Sequence, residues 1–150
     1  MKKIIYFLVL SLFVFNCSKS DDDNSPESCN TFLECNDGST WILDYDFAVV
    51  LFRINDNINN LLEQWVIYDS EDCYYYLGNT YVLYYTITEN TKDKLVLKID
   101  DASTTSTLTF SIVNGELKLV IEVTANGESF QVTLVFQETT IDVDNLTICL

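Results

Sequence analysis

The 150-residue chain has no histidine, a single arginine, a single proline and four glycines. Each shortage excludes something. Without histidine, neither a Ser-His-Asp nor a Cys-His nucleophile can be assembled, and the commonest general base is missing. No two cysteines have C-x-x-C spacing, so a structural zinc site lacks its usual ligand pattern. Four scattered glycines make no phosphate-cradling loop. Bases are scarce too: eight Lys and Arg stand against 23 Asp and Glu, a formal net charge of −15. That balance opposes nucleic-acid binding, which rests on cationic contacts to phosphate. It equally opposes adhesion to anionic lipid through charge, and in its plainest reading serves solubility. A cation-binding surface is the sharper reading of the same excess. After residue 15 no apolar run approaches the ~20 residues that a membrane-spanning helix needs.

What is present begins at the N-terminus. Lys2 and Lys3 precede the uncharged run Ile4 to Phe15. As a helix that run spans only about 18 Å, against a hydrocarbon core of about 30 Å. The pattern is that of a signal peptide over residues 1–16. Val14-Phe15-Asn16-Cys17 then resembles a bacterial lipobox, with Phe15 and Asn16 where small residues are usual. The resemblance implies cleavage before Cys17 and lipid on its sulfur. The alternative is an ordinary secreted chain with a spare cysteine. Residues 18–28 read SKSDDDNSPES, without a large apolar side chain, which is the composition of a disordered tether. Ser20-Asp21-Asp22-Asp23 resembles the export signal of Bacteroidetes lipoproteins. This implies an outer-membrane lipoprotein exposed at the cell surface, with a periplasm-facing orientation as the alternative.

Five cysteines are an odd number, and assigning Cys17 to lipid leaves Cys29, Cys35, Cys73 and Cys149 to pair. An exported chain meets an oxidising compartment, so two disulfides are expected. Three connectivities are open. The preferred one joins Cys29 to Cys35 across a short turn, and Cys73 to Cys149 so as to staple the end of the chain to its middle.

From Cys29 onward the apolar residues recur with a period of two, which predicts strands. Leu108, Phe110 and Ile112 alternate with polar residues, as do Leu117, Leu119, Ile121 and Val123, and then Phe130, Val132, Leu134 and Phe136. Asn114-Gly115 and Asn126-Gly127 separate these runs, and Asn-Gly between alternating runs is the strongest short-range hairpin signal. A three-stranded meander is predicted over about residues 106–138. Further strands are expected around 39–46, 48–54, 64–68, 73–77, 81–88, 95–100 and 146–149. One helical turn is expected at Ile58, Leu61 and Leu62. Residues 29–150 thus form one all-β domain of about 8–10 antiparallel strands, an up-and-down barrel or barrel-like sandwich.

At Asp37-Gly38-Ser39-Thr40-Trp41 the chain resembles lipocalins, and more narrowly the small lipocalin-like lipoproteins of Bacteroidetes. Asp37, Gly38, Trp41, Cys73 and Cys149 carry the resemblance, which covers roughly residues 29–150. The later T-D-W and arginine signatures of lipocalins are missing. The resemblance implies a barrel, with Trp41 closing its base, that can enclose one small apolar ligand.

Seven tyrosines lie between Tyr68 and Tyr85. Neighbouring strand residues face opposite ways, so Tyr74 and Tyr76 share a face that Tyr75 does not. Tyr74, Tyr76, Tyr81 and Tyr85 are the candidate ligand or partner contacts, because tyrosine joins an apolar body to a polar tip. Strand propensity and cross-strand packing account for tyrosines equally well. Asp44 with Asp46, and Glu116 with Glu122, are the carboxylate pairs a glycosidase would need. Asp56, Asp142 and Asp144 are oxygen donors of the kind calcium prefers, without an EF-hand pattern. In so acidic a chain such pairings arise by chance. No catalytic residue, metal or cofactor is therefore assigned. The expected function is a non-catalytic binding module for a small apolar ligand or surface partner. The alternatives are an envelope protein with a filled core, or a small carbohydrate-active enzyme.

Overall fold

The computed structural model describes residues 29–78 and 85–149. Among the described residues nine strands form one antiparallel sheet: β1 (Thr40–Tyr45), β2 (Ala48–Ile54), β3 (Leu62–Tyr68), β4 (Tyr75–Gly78), β5 (Tyr85–Thr91), β6 (Lys94–Asp101), β7 (Thr104–Val113), β8 (Glu116–Ala125) and β9 (Glu128–Thr139). Their order across the sheet is β4-β3-β2-β1-β9-β8-β7-β6-β5. Two up-and-down meanders are therefore joined where β1 pairs with β9. Asn114 and Asn126 adopt φ of 55° and 52°, and Gly115 and Gly127 follow with φ of 81° and 83°. This succession of positive φ is what the two-residue hairpin turn requires.

The sheet curls over on itself. Laid flat, nine strands would separate β4 from β5 by about 38 Å, yet only seven residue steps, spanning at most about 25 Å, join Gly78 to Tyr85. Phe52 on β2 and Phe110 on β7 lie four strands apart in the sheet, which is about 19 Å when flat. Their rings stack at 5.9 Å. Phe136 on β9 meets Phe52 at 5.8 Å. Among the described residues β4 and β5 do not pair, so the sheet is curled but not closed.

One core fills the concave side. It includes Trp41, Phe52, Ile54, Leu95, Leu97, Phe110, Leu117 and Phe136, all buried. Burying one such side chain contributes about 1.5–3 kcal/mol. The end of the sheet where β1 begins is closed by a five-residue helix, α1 (Phe32–Asn36), whose Phe32 and Leu33 are buried in this core. Thr31 and Glu34 form a capping box at its start, satisfying two otherwise orphan N–H groups. Cys29 and Cys35 are joined by a disulfide across the same helix. The Trp41 indole Nε1 donates to the Ser39 hydroxyl at 2.9 Å, which lets the ring stay buried with its polar atom satisfied.

Residues 140–149 lie across the convex side. Val143, Leu51 and Trp65 are buried together there, with Ile42, Tyr74, Ile141 and Leu146 packed around them. The expected final strand is reduced to an isolated parallel bridge between Tyr74 and Ile148. Tyr74 N–H donates to Thr147 O at 2.8 Å, and Cys149 N–H donates to Tyr74 O at 2.9 Å. Cys73 and Cys149 are joined by the second disulfide. Residues 140–149 therefore act as a strap rather than a strand.

Candidate functional site

The end of the sheet where β1 finishes is open. β9 spans Glu128–Thr139, but β1 pairs with it only over Thr40–Ile42. Beyond Ile42 the two strands diverge and leave two lips. On β9 the residues Phe130, Val132, Leu134 and Phe136 share one face by alternation. Phe136 is buried and Leu134 packs against the core. The row then continues outward as Phe130, 59% exposed, and Val132, 43% exposed. They pair with Val123 and Ile121 of β8. This is the first lip.

The second lip is aromatic. Tyr45 continues the core-facing row of Trp41 and Leu43, and Tyr68 continues that of Leu62. Ala48 pairs with both Tyr45 and Tyr68, so the three form one row across β1, β2 and β3. Ala48 is buried beneath its neighbours. Tyr45 stacks on Phe47 at 5.9 Å, and Tyr68 meets Tyr75 at 5.9 Å. All four rings remain exposed, Phe47 most of all at 66%.

Between the lips and the packed core lies a cavity of about 70 Å³, walled by residues that include Phe52, Gln64, Phe110, Ile121 and Leu134. Pockets that engulf a drug-sized ligand run to about 300–1,000 Å³. This cavity is far smaller than that, and among the described residues the apolar surface open to a ligand is at the mouth.

A polar node lies on the convex side near the closed end. Glu63 is buried, and its Oε2 is within 2.6 Å of Arg53 Nη2. Asn55 Nδ2 donates to Glu63 Oε2 at 3.1 Å, and the Tyr76 hydroxyl donates to Oε1 at 3.1 Å. Arg53 also pairs with Asp144 of the strap at 2.9 Å and lies over the Trp65 ring at 5.5 Å. Burial works to raise the Glu63 pKa. Hydrogen bonds from Asn60, Arg53 and Asn55, together with the Arg53 charge, outweigh it and hold the carboxyl below its ordinary value. Burial and the adjacent Glu63 carboxylate push the Tyr76 phenol up. A groove of about 350 Å³ runs beside this node between Thr40, Thr139, Asp142 and Asp144. Glu63 meets Arg53 at Nε and Nη2 and Asp144 meets it at Nη1, so the arrangement is that of a structural clamp.

Of the tyrosines singled out from the sequence, Tyr74 and Tyr76 share the convex side beside Trp65, and Tyr85 lies apart from them. Tyr74 packs beneath the strap. Tyr76 is held by Glu63 and lies 5.3 Å from Trp65. Tyr85 sits on the far edge strand, and its hydroxyl donates to Ile58 O at 3.2 Å. Tyr81 and Cys17 lie outside the described residues. The mouth is instead built by Tyr45, Phe47, Tyr68, Tyr75, Phe130 and Val132. The alternation placing Phe130 and Val132 on the core face was readable, but not that β9 outruns β1. Asp142 serves a local turn, its Oδ1 accepting from Asp144 N–H at 3.1 Å, and the Asp56 backbone N–H donates to Asp37 Oδ1 at 2.7 Å.

No known protein family, curated protein or solved structure matches this chain.

Proposed function

We propose that the chain is a membrane-tethered, non-catalytic binding module. Lipid on Cys17 holds it to the outer membrane with the domain facing the cell exterior. The lipocalin-like cup takes an apolar ligand or surface partner between its two lips. The observation that carries the reading is the exposed continuation of the core-facing rows, Phe130 and Val132 on one side and Tyr45 and Tyr68 on the other. Apolar side chains on the concave face gain from being covered, at roughly 25 cal/mol per Å². The second reading, a filled-core envelope protein that works through its surface, shares one feature with this one: a cavity of about 70 Å³ is too small to engulf a ligand. The ligand is held at the mouth and not swallowed.

An environment-sensitive fluorophore carrying an alkyl chain tests this. Binding to the wild-type chain, weakened about tenfold by Phe130→Ser with Val132→Thr and unchanged by Val135→Thr on the opposite face of β9, is the expected result. Equal binding by all three proteins would place the ligand elsewhere.

A further inference from the structure

The mouth is acidic as well as apolar. Asp46 follows Tyr45, and Asp69, Glu71 and Asp72 lie in the turn between Tyr68 and Tyr75. Glu128 stands at the tip of the other lip. None of these five has an ion-pair partner among the described residues. The described cations are elsewhere. Arg53, Lys92, Lys94 and Lys118 lie towards the closed end, and Lys98 is tied to Asp100 at 3.0 Å. The rim therefore sets exposed aromatic faces among uncompensated carboxylates.

That combination selects for a particular chemistry. A cation over a tyrosine or phenylalanine face gains about 0.5–1 kcal/mol at an exposed site. Carboxylates beside the ring add attraction at long range and steer encounter. A neutral lipid would gain nothing from the charges, and an anionic one would be repelled. From this charge complementarity we propose that the occupant of the mouth is a basic amphipathic polypeptide segment of a partner protein. Its apolar side chains cover Phe47, Tyr68, Phe130 and Val132, while its lysines or arginines meet Asp46, Asp69 and Glu71. The inference rests on the mouth being the binding site and names the partner class for it.

The test uses the full chain in discs of zwitterionic lipid, with empty discs as the blank. Three labelled synthetic peptides of equal length are titrated by fluorescence anisotropy: leucine with lysine, leucine with glutamate, and serine with lysine. The leucine–lysine peptide is expected to bind. Its affinity should fall about tenfold or more as salt is raised from about 50 to about 500 mM, because screening shortens the reach of rim charges. Phe47→Ser with Phe130→Ser should weaken it by about tenfold, the loss of two apolar contacts. Asp46→Asn with Asp69→Asn and Glu71→Gln should flatten the salt dependence. Equal binding of the leucine–glutamate peptide overturns the inference. So does serine–lysine binding as tight as leucine–lysine and indifferent to the aromatic substitutions. If the alkyl fluorophore binds at the mouth while no basic peptide does, the partner class is wrong and the mouth reading stands. If neither binds, both fail.

Discussion

Glu63 is where a single side chain has most at stake. It is a buried carboxylate that accepts from Arg53, Asn55 and Tyr76. Truncation to alanine strands Arg53, but Asp144 still faces the guanidinium and the arginine side chain keeps 19% of its exposure. The expected loss is thus about 1–3 kcal/mol, below the ~3–5 of a fully buried pair, and chemical denaturation measures it. The folded pKa lies below the ordinary value of 4.5. The linked stabilisation is therefore complete above that value and disappears as the pH falls through the lowered folded pKa. Glu63→Gln should remove that part of the acid-induced loss, read as a flatter dependence of the urea midpoint on pH below about 4.5. Phe47 and Phe130 behave oppositely. Both are more than half exposed, so serine at either should alter stability by less than about 0.5 kcal/mol while impairing binding at the mouth.

Among the elements, the strap and the hairpins make separable predictions. Cys149→Ser opens a disulfide between residues 76 apart, for which a loss of about 2–4 kcal/mol is typical. The strap should then lift from Trp65. Trp41, in the main core, provides an internal control. Acrylamide is expected to quench a new tryptophan population in this variant, and unaltered quenching would show that Val143 and the Arg53–Asp144 pair hold the strap alone. Gly115→Val should cost about 1–2 kcal/mol, because a β-branched residue resists the φ of 81° found there. Most of these elements were legible beforehand. Asn-Gly turns and period-two alternation marked β7, β8 and β9, since register and turn chemistry are written locally. Helix α1 was missed although Thr31 and Glu34 have capping-box spacing, because five residues give no helical period. Residues 146–149 of the strap have the local preference of a strand, because β-branched Thr147 and Ile148 carry it whether they join a ladder or pack on a convex face. The mouth was not legible. It arises from a mismatch between β9 and β1, which depends on which strands become neighbours.

At the scale of the molecule, Cys29, the first described residue, sits beside α1 at the closed end, away from the lips. Cys17→Ser is expected to release the protein from membranes on fractionation, and continued retention would contradict the lipid anchor. The formal charge of −15 opposes close approach of two copies. The central claim is that binding occurs between the lips, and hydrogen–deuterium exchange of the full chain with and without the alkyl fluorophore tests it most directly. Slowed exchange is expected at Asp46 and Phe47, across residues 69–73 and around Ile121–Leu134, with none in residues 140–149. Protection confined to the strap and the groove beside Arg53, or found nowhere, would contradict the account.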